Sequence, residues 1–471
     1  MINKINPVWF LLMGVILMTA SHTTFSIGTA AWMASVPFLI YLSITRGFKS
    51  RLLFSVVLII AWSFIVLKII TPPLTYAMIF LFSIPIGLIQ LPGYLLWAKF
   101  KNRKWAYLLF PATMVFMEWI QYTFTPFASW GVAAYTQMDN LIIMQSVSLF
   151  GMAGLSFLIY WMNITIAEMI IKKDLSFKAI RIPLLVLAAM IIFGSLRYTI
   201  SKSQGQNTIT VAAVCTDSKI GGLPLPSKEI TEKDKASLFS RTRTAGYNGA
   251  KLVAWNEASI GILPEDEKVW KDSLSSLAAE LKIALIASYV VPVSESPLKY
   301  ENKYLLLQPD GKIAYSYLKH QPVPGEPAIK GKEPLQVIEI NETKIGGAIC
   351  YDYNFPYLAK EFARKKADIV AVPSSDWRGI DPIHTKMAAF RAIEQGHSIL
   401  RSTRFGLSGA ITPYGEIVSQ MSSYDDNDKI MMAHLPVKSV TTLYGIIGDV
   451  FVYLCIGFIL FFLINAAFSK K

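Results

Sequence analysis

Three residues able to do acid–base and nucleophilic chemistry occupy equivalent places in the chain. Glu257, Lys319 and Cys350 each follow a stretch that reads as a β-strand: Lys251–Trp255, Lys312–Leu318 and Lys344–Ile349. In open α/β sheets, functional groups gather outside the carboxyl ends of strands. A carboxylate there can take the proton of a thiol as general base. The thiolate can then attack an ester or amide carbonyl and form a thioester. An ammonium, with the backbone N–H that follows the cysteine, can hold the developing oxyanion. Cys350 also precedes a polar turn, Pro356 and a helical pattern, so its thiol is expected near a helix N-terminus, where the thiolate is favoured. Each residue has a plain alternative, a loop-tip charge or a core cysteine. Their shared position tips the balance toward acyl-transfer chemistry.

The elements that must position them run from about Asn207 to Val437. Strands are expected at Ile209–Cys215, Lys251–Trp255 and Ala284–Val291, the last ended by Pro292. Pro309-Asp310-Gly311 is a hairpin signal between Tyr304–Gln308 and Lys312–Leu318. A second pair, Leu335–Ile340 and Lys344–Cys350, is followed by strands at Asp368–Val372, Ile399–Ser402, Leu407–Thr412 and Glu416–Val418. Helical patterns cover Lys228–Tyr247, Glu265–Lys282, Tyr357–Lys366 and Ile383–Gln395. This alternation predicts a layered α/β domain with helices outside mixed sheets, and about 230 residues suffice for one large core.

The rest of the chain is of another kind. Of 471 residues, 53% are hydrophobic, and the mean hydropathy is +0.42. Apolar stretches of membrane length lie near Pro7–Ser26, Gly28–Ile44, Leu52–Ile70, Tyr76–Trp97, Trp105–Phe124, Leu141–Ile171, Ile182–Leu196 and Leu443–Asn465. The first lacks a small-residue cleavage site and reads as an anchor. The organisation expected is a seven-helix bundle over 1–200, a large domain over 207–437 and a last membrane helix over 443–467. The net charge of +13 does not point to nucleic acid, because residues 201–440 hold 29 basic and 27 acidic residues. Most of the remaining basics cluster in every second loop (Arg46, Lys49, Arg51; Lys99, Lys101, Arg103, Lys104; Lys172, Lys173, Lys178, Arg181), with Lys4, Lys470 and Lys471 assigned to the same side; the other loops hold only Lys68, with Arg197 at the edge of the large domain. The positive-inside pattern puts these loops and both termini in the cytoplasm and the large domain outside it. Glu118, Asn163 and Glu168 interrupt apolar stretches; the favoured reading is pairing within the bundle, the alternative a role near lipid head groups. Two of the three cysteines, Cys215 and Cys350, fall in an oxidising compartment, and a disulfide between them would exclude a nucleophilic Cys350. Cys215 belongs to the domain's first expected strand, which makes it a buried residue and disfavours that bridge.

Trp255-Asn256-Glu257, Tyr317-Leu318-Lys319-His320 and Cys350-Tyr351-Asp352 resemble the Glu–Lys–Cys segments of the nitrilase superfamily, and most of all its membrane-bound branch, the apolipoprotein N-acyltransferases. Val323-Pro324-Gly325-Glu326, Arg391-Ala392-Ile393-Glu394-Gln395-Gly396 and Leu400-Arg401-Ser402-Thr403 agree in order. So do Phe127–Gly131, Gly151–Phe157, Asn163 and Tyr444–Asp449 in the apolar parts. The resemblance implies an αββα sandwich joined to about eight transmembrane helices, acting at the outer face of the bacterial inner membrane. It implies a phospholipid acyl donor, a thioester on Cys350, and transfer to the α-amine of a diacylglyceryl-cysteine on an apolipoprotein. It assigns Glu257 as base, Lys319 as oxyanion stabiliser and Cys350 as nucleophile. Glu326 and Asp352 would orient the lysine and the cleft, with no metal and no cofactor.

The chain departs from the family pattern at Asn256 (usually Pro), Asp352 (usually Glu), Ser374-Ser375-Asp376-Trp377-Arg378-Gly379 and Arg404. Trp377, Arg378 and Arg404 are therefore candidates for orienting the substrate. Two other readings remain: a membrane amidase or an acyltransferase for another amine, and a membrane scaffold whose domain only binds. A binding module has no need of all three groups.

Overall fold

The computed structural model describes residues 5–203, 207–218 and 227–468, so Lys4, Lys470 and Lys471 lie outside the described residues. The chain forms two compact units, Met1–Lys202 with Ile446–Lys471, and Ser203–Gly445.

The first unit is helical. Its elements are α1 (Val8–Ser21), α2 (Val36–Ile44), α3 (Phe48–Leu67), α4 (Ala77–Phe100), α5 (Ala106–Phe124), α6 (Leu141–Met144), α7 (Val147–Lys172) and α8 (Phe177–Ser203). Among the described residues, five helices are long and apolar enough to cross a membrane: α3, α4, α7, α8 and the C-terminal Val450–Phe468. The other expected spans are helical but shorter or less apolar. The first stops at Ser21 because His22 is extended and Thr23 and Phe25 have positive φ. The second is divided into a 3₁₀ turn (Gly28–Trp32) and α2. Asn163 ties that division to α7, accepting from Ser35 N (2.7 Å) and donating to Ala31 O (2.8 Å). Glu118, on α5, is buried and accepts from the Ala133 backbone N–H (2.9 Å) and the Tyr160 hydroxyl (2.7 Å). Glu168 pairs with Lys172 one turn on, at 2.5 Å. All three polar residues thus have partners inside the helical unit.

The second unit holds β1 (Thr208–Val214), α9 (Lys228–Tyr247), β2 (Leu252–Trp255), α10 (Glu267–Leu281), β3 (Ala284–Glu295), β4 (Leu298–Leu307), β5 (Ile313–Leu318), β6 (Val337–Ile340), β7 (Thr343–Gly347), α11 (Pro356–Arg364), β8 (Ile369–Ala371), β9 (Ser374–Ser375), α12 (Ile383–Gln395), β10 (Ser398–Arg401), β11 (Thr403–Arg404), β12 (Leu407–Ile411), β13 (Ile417–Ser422) and β14 (Ile430–Pro436). Two six-stranded sheets form, in the orders β14-β1-β2-β3-β4-β5 and β13-β12-β10-β8-β7-β6. Each has three parallel central strands flanked by antiparallel ones. Short apolar runs such as Leu252–Trp255, buried throughout, are what a parallel strand covered on both faces requires. The sheets meet face to face, as shown by Ser402 Oγ donating to Ala254 O (2.7 Å) and Tyr304 OH donating to Gly347 O (2.9 Å). Trp270, Leu274 and Leu277 of α10 and Leu238 of α9 pack against Val214, Val253, Trp255 and Leu285 of the first sheet. On the second sheet, Gly346 lets Phe362 of α11 close in; a Cβ at Gly346 would stand 2.7 Å from that ring.

Two expectations are corrected here. Pro292 does not end its strand: β3 runs on to Glu295, with a register shift between Pro292 and Ser294 that accommodates the missing N–H. Cys350 is not a strand residue; β7 stops at Gly347, and Cys350 opens a 3₁₀ turn, Cys350–Asn354. The strand β14 has no counterpart in the sequence-based expectations.

Glu118→Ala strands a buried N–H and a buried hydroxyl and is expected to destabilise the helical unit by about 2–5 kcal/mol. Glu118→Gln, which keeps an acceptor oxygen, should unfold near wild type in detergent. A stable but inactive Glu118→Gln protein would instead give the residue a chemical role.

Candidate active site

The ends of β2, β5 and β7 bring Glu257, Lys319 and Cys350 together, and each is at most 4% exposed. Lys319 Nζ donates to Glu257 Oε1 at 2.7 Å and to Glu326 Oε2 at 2.6 Å. Burial works against the Lys319 charge, but Glu257 and Glu326 outweigh it and hold the ammonium well above its ordinary range. Burial likewise works against the charge of Glu326, and Lys319 more than offsets it, so this carboxyl lies below its ordinary value. Glu326 also accepts the Val323 N–H at 2.9 Å, which closes the Val323–Glu326 turn on the lysine.

Cys350 has φ +48°. A non-glycine residue in the left-handed region costs about 1–2 kcal/mol and persists only where surroundings impose it. Here its N–H donates to Pro373 O (2.8 Å) and its thiol lies 3.6 Å from Ser375 O. Asp352, buried and two residues on, accepts from Ile349 N (3.1 Å), Gln321 N (2.5 Å) and the Tyr317 hydroxyl (2.7 Å). It therefore fastens the turn carrying the thiol to the segment just past Lys319. Burial pushes the Asp352 carboxyl above its ordinary value, against the pull of Lys319 and the Tyr317 hydroxyl.

The thiol is not activated as its position in the sequence suggested. Burial, followed by the like charge of Glu257, pushes Cys350 well above the ordinary thiol range, and Lys319 offsets this only in part. Cys350 opens the 3₁₀ turn Cys350–Asn354 and so lies ahead of α11 rather than at its first turn. A thiol so raised stays protonated near neutral pH unless a base takes its proton. Cys215 and Cys350 are both free; the Cys215 sulfur lies 3.5 Å from Ser408 Oγ.

Of the other candidates, Arg404 joins the site: its Nε donates to Ser375 Oγ at 2.9 Å, on the residue whose carbonyl meets the thiol. Trp377 is half-buried ahead of a 3₁₀ turn, Arg378–Ile380. Arg378 is exposed, its guanidinium 4.4 Å from the Tyr424 ring, and among the described residues it has no hydrogen bond to Glu257, Lys319 or Cys350. Asn256 accepts the Thr216 N–H (2.8 Å), while its own N–H goes to Val214 O (3.2 Å). A proline there would lack both bonds.

A second buried array was not singled out from the sequence. Asp376 makes two bonds to Arg401 (2.9 and 3.1 Å) and one to His384 Nδ1 (2.7 Å), and His384 Nε2 meets Asn354 Oδ1 (2.7 Å). Cys350 Sγ, Asp376 and His384 have ligating atoms within 4.8 Å of one another, a donor set that zinc accepts. The Arg401 guanidinium already neutralises Asp376 and stands 2.8 Å from His384 Nδ1, so the residues do not fit a dication. Both ring nitrogens of His384 are committed to Asp376 or Arg401 and to Asn354. Asn302, which donates to Glu257 Oε1 (2.7 Å) and Glu326 Oε1 (3.0 Å), was also missed. Flanked by Glu301 and Lys303, it carries no local signal that sets it apart.

The carbon-nitrogen hydrolase family matches residues 203–444, and the apolipoprotein N-acyltransferase N-terminal domain matches residues 14–165. The apolipoprotein N-acyltransferase of Borreliella burgdorferi is 24% identical over 379 residues, 69% of this chain and 69% of its own. That of Rickettsia bellii is 24% identical over 406 residues, 79% of this chain and 78% of its own. Among solved structures, an amidase from Nesterenkonia sp. covers 53% of this chain and 97% of its own, at 18% identity and a TM-score of 0.42.

Because the thiol is raised above its ordinary range, alkylation of Cys350 by iodoacetamide should climb with pH throughout about pH 7–9 without a plateau. Glu257→Gln removes the like charge beside the thiolate, so the alkylation profile should move to lower pH. Acyl transfer by the same variant should fall about 10²–10⁴-fold, the usual worth of a general base. An alkylation profile that levels off below neutrality would show a thiolate already formed.

Proposed function

The chain belongs to the carbon-nitrogen hydrolase family, in its apolipoprotein N-acyltransferase branch, and from that premise we propose that it N-acylates apolipoproteins. The acyl chain comes from a phospholipid, passes through a thioester on Cys350, and ends on the α-amine of the N-terminal S-diacylglyceryl-cysteine. The observation that carries this reading is the buried ammonium of Lys319 held between Glu257 and Glu326 beside a protonated thiol.

Glu257 takes the Cys350 proton as sulfur attacks the donor ester carbonyl. Lys319 stabilises the tetrahedral oxyanion. The carbon–oxygen bond breaks, and the lysophospholipid alkoxide leaves with the proton from Glu257. In the second half, a neutral amine attacks the thioester, the carbon–sulfur bond breaks, and the amine's proton passes through Glu257 to the sulfur. An α-amine with a pKa of about 7.7–8.0 supplies enough neutral form near physiological pH. Water competes for the thioester, so the cleft must disfavour it; the near-complete burial of all three groups supports that. Glu326 and Asp352 act through Lys319 and the Cys350 turn. Trp377, Arg378 and Arg404 line the approach of the second substrate.

The same reading makes the chain a multi-pass protein of the bacterial inner membrane. Its catalytic domain is extracytoplasmic and both termini are cytoplasmic, as the charge alternation of the loops supports. The eight apolar stretches are its spans, and residues 207–437 are the catalytic domain.

Purified protein given phospholipid and a synthetic diacylglyceryl-cysteine peptide should add one acyl chain as an amide, read by mass spectrometry, and Cys350→Ala should add none. Release of free fatty acid with an unmodified peptide would indicate a hydrolase instead. Acylation of other amines in place of the peptide would indicate a different acceptor.

A further inference from the structure

Asn302 lies on β4 and is 2% exposed. One hydrogen of its side-chain amide goes to Glu257 Oε1 and the other to Glu326 Oε1. Its backbone carbonyl accepts the Lys319 N–H at 2.9 Å. With both amide hydrogens on carboxylates, the orientation of the amide is fixed by its partners. Oδ1 is then turned away from both, and among the described residues it is buried without a partner. An orphaned buried acceptor is a standing cost that a residue selected for packing alone would avoid.

The consequence falls on Glu257. Its Oε1 receives two donors, Lys319 Nζ and Asn302 Nδ2, and among the described residues no hydrogen bond falls on Oε2. We propose that Asn302 is a positioning residue: it commits Glu257 Oε1 and so makes Oε2 the atom that takes the Cys350 proton. The Sγ–H bond breaks, the proton goes to Oε2, and sulfur bonds to the donor carbonyl carbon. The proton then leaves Oε2 with the departing alkoxide, and Glu257 is ionised again. By holding Glu326 through its second hydrogen, Asn302 also keeps the two carboxylates apart around one ammonium. This rests on the reading of Glu257 as the base for Cys350.

The test uses the full chain in detergent and follows single-turnover thioacylation of Cys350 by a labelled phospholipid across pH. Asn302→Asp keeps the shape and turns both donors into acceptors; Asn302→Ser is small and uncharged and decides the matter if Asn302→Asp does not fold. Both are expected to slow thioacylation at least about 100-fold, with apparent affinity for phospholipid within about 2-fold of wild type. Losing the Asn302 donor leaves Glu257 Oε1 with Lys319 as its remaining partner among the described residues, so the loss is expected in the thioacylation step and not in phospholipid binding. The other groups that face Glu257 are Lys319, Glu326, Cys350, His384, Arg401, Arg404 and Tyr300, and none is altered in these variants. A folded variant with the wild-type rate overturns the proposal. A rate loss that tracks a lowered unfolding midpoint, or that comes with an equal loss of phospholipid affinity, overturns it equally. Wild-type protein that never acquires a thioester contradicts the role of Cys350 itself, which is a separate failure.

Discussion

The catalytic unit is organised around a charge imbalance in a dry place. Two carboxylates, Glu257 and Glu326, share one ammonium, Lys319, and the lysine is 1% exposed. Such a cluster survives burial only if its geometry is close and its remaining lone pairs are satisfied. The supporting bonds are visible: Asn302 donates to both carboxylates and Val323 N–H to Glu326. The imbalance has a chemical consequence. Burial, reinforced by the negative charge of Glu257, pushes the Cys350 thiol well above its ordinary range, so in the proposed reaction the thiolate forms only when a substrate carbonyl is in place to receive it. A thiol kept protonated until that moment is also less exposed to oxidation, which proceeds through the thiolate.

Two sheets have to meet for this to work. Glu257 and Lys319 stand at strand ends of the first sheet, Cys350 beyond a strand of the second. Asp352 crosses between them, bonding Gln321 on one side and Ile349 on the other. The left-handed backbone of Cys350 is imposed by that bond network rather than by its own preference. Behind the thiol, Asp376, His384 and Arg401 form a neutralised, fully hydrogen-bonded wall. Their contribution is rigidity: Asn354 of the Cys350 turn is anchored to α12 through His384.

Much of this was legible in the sequence because strand ends are legible. Helices α9 and α12 fall where apolar periodicity predicts them, and Glu257, Lys319 and Cys350 declare themselves as polar residues just past apolar runs. What was not legible depends on long-range pairing. β14 reads as ordinary mixed sequence until β1 is available to pair with it. Pro292 looks like a strand terminator until a bulge accommodates it. Asn302 and His384 stand among other polar residues of β4 and α12, and nothing local marks them out, because Asn302 meets Glu257 and Glu326, and His384 meets Asn354, only in the folded domain. The state of the thiol is hidden for the same reason: a helix nearby in sequence suggests activation, whereas burial in the folded domain, followed by the charge of the sequence-distant Glu257, raises it. In the helical unit, hydropathy marks eight stretches, but breaks at Thr23, Phe25 and Gly151 come from local backbone turns that hydropathy averages away.

The central claim is that Cys350 carries the acyl chain. Intact-protein mass spectrometry after incubation with a phospholipid of defined acyl composition tests it most directly. A mass increase of one acyl chain is expected, mapped to the Cys350 peptide, released by hydroxylamine at neutral pH and absent from Cys350→Ala. A wild-type protein that stays unmodified where a control acyltransferase is labelled, or an adduct that persists in Cys350→Ala, would contradict it.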